Sequence, residues 1–215
     1  MENIPLELIR KVPPVTRCWI GGIVLMSILE YCGIVRQIDL VYSFEKVFHQ
    51  HEYWRLLTCF LYVRRFSLDL FFSLYFTMTT SISLEESLGT TIDGTWDYLW
   101  LIFVNGLILI LFATFIRPTY FLGSKLDDAL LYIWSRRNHG ARMEILGLVN
   151  FRAPYLPFVY AVINGLLNGS TVVDMILDVV TGHIFFFFQD VFPTLHGIHP
   201  LNPPWRHKAA AAAIA

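Results

Sequence analysis

The stretch that decides the fold is residues 98–116, YLWLIFVNGLILILFATFI, which contains no charged side chain. An α-helix needs about 20 predominantly apolar residues to cross the hydrocarbon core of a bilayer, and this stretch has that length. Aromatic residues lie around its beginning, where Trp96, Tyr98 and Trp100 are suited to a membrane interface. The stretch therefore predicts a transmembrane helix.

The composition of the whole chain agrees with this prediction. Of the 215 residues, 55% are hydrophobic and 15% are charged, against about 25% charged in ordinary soluble domains. The net charge of -1 provides no field that would attract nucleic acid, so a nucleic-acid partner is excluded. The three cysteines, Cys18, Cys32 and Cys59, have no metal-ligand spacing. No metal or other cofactor is expected.

Working outward from residues 98–116, apolar segments recur along the chain and predict an all-α, polytopic membrane protein with six transmembrane helices. We expect a membrane domain over residues 1–193, followed by a short cytosolic tail at 194–215. Lysine and arginine are slightly more numerous on the side that carries both termini, which places the termini in the cytosol. The predicted spans, numbered one to six, cover residues 18–35, 66–83, 97–116, 118–134, 154–167 and 172–188.

The connection between spans one and two, residues 36–65, is too long for a turn and too charged to cross the bilayer. Apolar residues such as Phe44, Val47 and Trp54 recur in it among charged ones. This pattern is typical of amphipathic helices that lie in the headgroup region. The sequence thus predicts a first loop that is embedded in the membrane surface.

Five motifs occur in order along the chain: VPPVTR at 12–17, WRLLT at 54–58, LYIW at 131–134, APYLP at 153–157 and Gly182-His183. With this order and spacing the chain resembles the Derlin family over about residues 8–193. The resemblance implies a rhomboid-like bundle of six transmembrane helices in the endoplasmic reticulum membrane, related to intramembrane proteases but without catalysis. It also implies that Trp54 and Arg55 brace the first loop and that a lateral gate lies between spans two and five.

The resemblance further implies a role in the degradation of misfolded proteins. The expected partners are misfolded luminal proteins or glycoproteins and an HRD-type membrane ubiquitin-ligase complex with its scaffold subunit. With its short tail the chain resembles the fungal Derlin of the HRD ubiquitin-ligase complex, which would reach the AAA unfoldase only through partners. The alternative is that a longer tail has been truncated. The chain departs from the family at Asp178, where many members have the first glycine of a Gly-x-x-x-Gly pair that ends at Gly182. This departure predicts looser helix contact at that point. Gly182 and His183 are expected to be packing residues in span six.

Ionisable residues within or near apolar spans are the candidate functional site, because such residues are costly in a bilayer unless they face water or a partner. We predict that they line a hydrophilic substrate groove that opens mainly to the lumen. The alternative is that spans four and six begin later, which would leave Lys125 and Asp174 among the lipid headgroups. The candidate groove residues are Asp69, Lys125, Asp127, Asp128, Asp174 and Asp178.

Two rival functions are weighed against the groove. An active rhomboid-type serine protease would use Ser124 and His183, but their depths along spans four and six differ by about 7–8 Å, whereas a nucleophile and its base must lie within hydrogen-bond reach. We therefore expect no catalytic residue. A small-solute transporter is less favoured because paired interrupted segments are absent.

Span five is unusually short, since prolines begin it at Pro154 and Pro157 and Asn168-Gly169 ends it. About 14 helical residues would reach about 21 Å, less than the hydrocarbon thickness of about 27 Å in the endoplasmic reticulum. We predict that the bilayer is thinned locally, with a tilted ordinary helix as the alternative. Asn168-Gly169-Ser170 matches a glycosylation acceptor, but it lies so near the membrane that we expect it to be unmodified.

Overall fold

The computed structural model describes residues 12–89, 91–116, 118–119, 121–145, 149–168 and 172–206. Within these ranges the chain is helical, apart from one pair of short strands. The long helices are α1 (Pro14–Tyr31), α5 (Leu68–Leu88), α6 (Ile92–Phe115), α7 (Leu122–Arg137), α8 (Leu156–Asn168) and α9 (Val172–Phe186). Each of the six predicted spans thus corresponds to a helix, although half of the boundaries move by three to five residues.

The boundary of α1 shows why such shifts occur. The helix begins at Pro14, four residues before the predicted span, because proline is favoured in the first turn, where its missing N–H is not needed. It ends at Tyr31, and Gly33 then adopts φ of +71°, a left-handed conformation that favours glycine. The helix thus extends beyond the apolar run at its beginning, whereas the apolar run extends beyond the helix at its end, so hydropathy alone misplaces both ends.

Two stretches of the described residues, Ile92–Phe115 and Ile176–His196, are long and apolar enough to cross a membrane. The second stretch runs from α9 through a π-helical turn, Phe187–Val191, into α10 (Phe192–His196). The last helix therefore continues beyond residue 188, where the predicted span ends. The full six-span topology stays a prediction.

The first loop contains three short helices, α2 (Gln37–Leu40), α3 (Phe44–Phe48) and α4 (Arg55–Leu61). Its buried side chains include Leu40, Val47 and Cys59, while Phe44 and Trp54 are exposed. Helix α4 packs against α1 and α7. The loop is therefore a folded layer beside the bundle with an apolar outer face, as its amphipathic pattern predicts.

The connection between α7 and α8 differs from the all-helical prediction. Strands β1 (Arg142–Ile145) and β2 (Val149–Arg152) pair in antiparallel register, with Arg142 opposite Arg152. A short 3-10 turn, Ala153–Tyr155, then leads into α8. Asn168 is the last residue of α8, and Gly169 and Ser170 of the predicted glycosylation acceptor lie outside the described residues.

Helix α7 is the centre of the bundle, because it packs against α4, α5, α6, α8 and α9. Most of its side chains are buried although it carries three charged residues near its beginning. Helices α7 and α9 run parallel: Lys125 contacts Asp178 near their beginnings, and Arg137 contacts Asp190 at the other end. The central helix thus brings its own charges against both α5 and α9.

Candidate functional site

The first polar contact of the candidate groove joins α7 to α9. The Lys125 ammonium donates to Asp178 Oδ2 at 2.9 Å, and both side chains are largely shielded from solvent. Asp178 Oδ1 is buried and has no hydrogen-bond partner among the described residues. The two side chains share a cavity of about 20 Å³ with Thr119 and Thr181. An opposite charge at this distance offsets much of the cost of placing either ion inside the bundle.

A second ion pair lies at the beginning of α5. Arg64, just before the helix, donates to Asp69 Oδ2 at 2.8 Å. The backbone carbonyl of Arg64 also accepts a hydrogen bond from Ser27 Oγ of α1, at 3.2 Å. Asp69 was predicted from the sequence without its cation, although a basic residue five positions away was a usable signal. The pair ties the end of the first loop to both α5 and α1.

Asp127 occupies the interface between α5 and α7. Its side chain is 7% exposed, and Oδ2 accepts a hydrogen bond from Thr77 Oγ1 at 2.9 Å. Oδ1 has no partner among the described residues and lies by a cavity of about 10 Å³, which Thr80 and Tyr160 also line. A cavity of this size holds about one water molecule. This contact brings polar atoms of α5, α7 and α8 together.

The remaining two candidate groove residues are Asp128 and Asp174. Asp128 lies on α7, where it is half-buried. Asp174 is part of α9, but its side chain lies outside the described residues.

The structure thus gathers the charges of α5, α7 and α9 near the beginnings of these helices, and it satisfies most of them in pairs. The cavities between them are small, so the described residues form a closed polar seam. We use the name polar seam for the six residues that make these contacts: Arg64, Asp69, Thr77, Lys125, Asp127 and Asp178.

Ser124 and His183, the alternative catalytic pair, have other neighbours. Ser124 Oγ donates to the backbone carbonyl of Phe121 at 3.4 Å. His183 Nδ1 lies 2.8 Å from the Tyr132 hydroxyl, which also accepts a hydrogen bond from Arg136 Nε at 3.1 Å. Because Tyr132 follows Ser124 by eight residues of the same helix, about 12 Å separate these levels along α7. A serine–histidine dyad is not formed.

Gly182 allows the closest approach between α7 and α9. A Cβ atom at this position would lie 2.8 Å from the Ala129 carbonyl oxygen and 3.0 Å from the Tyr132 side chain. Close helix packing therefore occurs at the second glycine of the family pattern. At the first position, Asp178 instead uses the interface for its ion pair with Lys125. Asp178 in place of the first glycine thus replaces a close contact between the two helices with an ion pair.

The first-loop motif has a clear geometric role. Arg55 is 2% exposed and donates to the backbone carbonyls of Ile38 at 2.9 Å and Val41 at 3.2 Å. It also pairs with Glu52. These contacts hold the loop in one conformation, as expected of a brace. Trp54, in contrast, is exposed, so it faces the surroundings and is not part of that network.

One buried acid was missed by the sequence analysis. Glu85, near the end of α5, accepts hydrogen bonds from Val15 N at 3.1 Å, Thr16 N at 2.8 Å and Thr16 Oγ1 at 2.8 Å. It therefore caps the first turn of α1, where backbone N–H groups have no partners inside the helix. A usable signal was that the helix begun by the VPPVTR motif has proline at its N-cap, Pro13, which has no side-chain oxygen to cap the helix.

Comparison with known proteins identifies relatives over nearly the whole chain. The Der1-like family matches residues 12–205. A probable derlin-2 homolog of Dictyostelium discoideum is 32% identical over 200 residues, which cover 91% of this chain and 78% of that protein. Derlin-2.2 of Zea mays is 33% identical over 215 residues, covering 96% of this chain and 86% of that protein. Derlin-1.1 of Zea mays is 29% identical over 209 residues, covering 96% and 85%. With its helical bundle, its motifs and these matches along its length, the chain belongs to the Der1-like, or Derlin, family.

Proposed function

We propose that this protein is a non-catalytic component of endoplasmic-reticulum-associated degradation. It receives misfolded luminal proteins or glycoproteins and aids their return to the cytosol through a hydrophilic groove. It acts beside an HRD-type membrane ubiquitin ligase and its scaffold subunit, which connect it to the AAA unfoldase. Membership of the Derlin family supports the role in this degradation pathway. In this proposal the chain spans the endoplasmic reticulum membrane several times, with both termini in the cytosol.

The polar seam is the observation that carries the proposal. Two ion pairs, Arg64–Asp69 and Lys125–Asp178, lie near the beginnings of α5, α7 and α9, and Asp127 is buried at the interface between α5 and α7. A bundle that only needed stability would gain as much from well-packed apolar residues, because desolvation offsets most of the attraction in a buried ion pair. Polar side chains that are kept despite this cost suit a substrate-binding surface. There they can exchange their hydrogen-bond and ionic partners within the bundle for polar groups of a bound polypeptide.

The short helix α8 supplies the second element of the mechanism. Its 13 residues reach about 20 Å at 1.5 Å per residue, which is less than the hydrocarbon thickness of about 27 Å in this organelle. A short span is matched by a thinner bilayer or by tilt. We propose thinning beside α8, since a thinner apolar layer lowers the cost of moving polar backbone across it. Normal lipid density around this helix would contradict that part of the proposal.

The absence of catalysis is part of the same proposal. His183 of α9 contacts Tyr132, which lies about 12 Å along α7 from Ser124. This separation argues against proton transfer between Ser124 and His183. Cleavage of a single-span test substrate by the purified protein, lost in Ser124→Ala, would instead establish the protease alternative.

Site-specific photocrosslinking in membranes tests the groove directly. A photoreactive residue is placed at Asp69, Asp127 or Asp174, and crosslinks to a stalled misfolded luminal client are counted. Leu111, which is exposed on α6, serves as the control position. Crosslinks from the three acidic positions and not from Leu111 are expected. Strong labelling at the control with none at the acidic positions would overturn the groove.

A further inference from the structure

The last described residues turn back across one end of the bundle. Helix α10 ends at His196, and Gly197 adopts φ of +67°, a conformation in which glycine is favoured. Residues 197–200 are all exposed. The chain then returns to α6, where residues 201–206 make contact. We call residues 201–206 the strap and residues 197–200 its link.

The strap is held by groups at the beginning of α6. Trp205 Nε1 donates to Asp97 Oδ1 at 2.9 Å, and Arg206 forms an ion pair with the other oxygen of this buried carboxylate. Trp100 Nε1 donates to the backbone carbonyl of Leu201 at 2.9 Å. The rings of Trp100 and Trp205 also meet edge to face, with centroids 5.7 Å apart. Leu201 also packs against the core, and Pro203 is buried. Directed contacts centred on one carboxylate, together with a small apolar contact, therefore hold the strap.

A cavity of about 40 Å³ lies beneath the strap. Side chains from α5, α6, α7, α9, the π-helical turn and the strap line it, and they include Leu88, Arg137 and Gln189. This volume exceeds what a single water needs, so the strap covers the site without filling it. Arg206 is 54% exposed, so solvent and salt weaken its attraction to Asp97.

We propose that the strap is a releasable latch, which detaches from Asp97 and swings on its exposed link to uncover the cavity. The four long helices around the cavity pack on one another through contacts that do not include the strap. Release therefore opens this end of the bundle without unfolding it. It uncovers buried Asp97 and exposes more of Arg137 and Gln189, which are partly exposed while the strap is closed. The latch does not depend on the proposed role in degradation.

Cysteine labelling of the full-length, detergent-purified protein tests the latch. Gln189→Cys is introduced into a Cys18→Ser/Cys32→Ser background, and its rate of reaction with a polar maleimide is measured. Trp205→Ala removes one hydrogen bond and the ring contact, and it is expected to raise this rate about tenfold. Arg206→Ala, which alters an exposed side chain, is expected to raise the rate by a smaller factor.

His199→Ala is the matched control, since it changes an exposed side chain of the link. Buried Cys59 reports on folding, because it must stay unreactive in every variant. Equal rates in the Trp205→Ala, Arg206→Ala and His199→Ala proteins would overturn the proposal. A Trp205→Ala protein that also exposes Cys59 would mean that the strap supports the fold, and this too would overturn a releasable latch.

Discussion

Replacement of Glu85 by alanine should destabilise the protein more than any surface substitution, because one carboxylate satisfies the first turn of α1. The side chain is buried and accepts from Val15 N, Thr16 N and Thr16 Oγ1. A hydrogen bond to a charged group contributes about 1.5–3 kcal/mol, and a buried donor left unpaired adds its own desolvation cost. Because the threonine hydroxyl can turn to another acceptor, the two backbone groups dominate the loss. We expect Glu85→Ala to cost about 3–5 kcal/mol.

For a chain of 150–250 residues, 1 kcal/mol corresponds to about 2–4 °C in Tm, so Glu85→Ala should lower the Tm by about 6–20 °C. Glu85→Gln keeps an acceptor oxygen without the charge, and neutral hydrogen bonds are about half as strong as charged ones. Its Tm should fall between those of the native and alanine proteins. Thermal unfolding of the detergent-purified proteins, followed by tryptophan fluorescence, measures all three.

Glu86 is the matched control, since it is the adjacent acid and is exposed. Glu86→Ala should leave the Tm within about 1–2 °C of the native value, because surface substitutions are usually within about 0.5 kcal/mol. If Glu85→Ala and Glu86→Ala unfold at the same temperature, Glu85 does not cap α1 and the reasoning is refuted. Amide exchange at Val15 and Thr16 localises the effect, since both N–H groups should exchange faster only in the Glu85 variants.

Three further predictions follow from other contacts. Lys125→Met should cost about 3–5 kcal/mol by leaving Asp178 unpaired, whereas the joint change with Asp178→Leu should recover most of that loss. Equal losses in the single and double variants would contradict the ion pair. Gly182→Ala should lower the free energy of unfolding by about 1–3 kcal/mol, because α7 and α9 must move apart to accommodate the methyl group. Gly21→Ala is the control and should not destabilise the protein, because there is open space around Gly21. Burial raises the pKa of the Cys59 thiol to about 12, so this thiol stays protonated at pH 8. Maleimide should therefore label only the two exposed cysteines, Cys18 and Cys32. Rapid labelling of all three cysteines would disprove the burial of Cys59.

Hydropathy predicted the long helices well, because a bilayer-length apolar run constrains secondary structure locally. The boundaries were less predictable, as α1 shows: its start depends on Pro14 and on an acid supplied by α5. The hairpin between α7 and α8 was missed because strands of four residues carry little periodicity. The brace at Arg55 was expected from the family motif, but its carbonyl partners could be known only from the folded loop.

The candidate site was predicted as a set of residues and not as an arrangement. A charge inside an apolar segment is visible in the sequence, because its cost depends mainly on the local apolar surroundings. Its partner is not visible: Lys125 and Asp178 are far apart in the chain, and they meet because Gly182 lets α9 approach α7 closely. The same is true of Asp97, which meets Trp205 and Arg206 only after the chain has crossed the bundle.

The sequence by itself determined that this chain forms long apolar helices, that it carries ionisable groups where a bilayer makes them costly, and that it has the motifs of the Derlin family. These properties follow from composition, local periodicity and residue order. Only the tertiary structure decided that the acids and bases of α5, α7 and α9 form a closed polar seam and that residues 201–206 return to α6. The physical reason is that electrostatic pairing acts over a few ångströms, and folding alone sets which distant residues come that close.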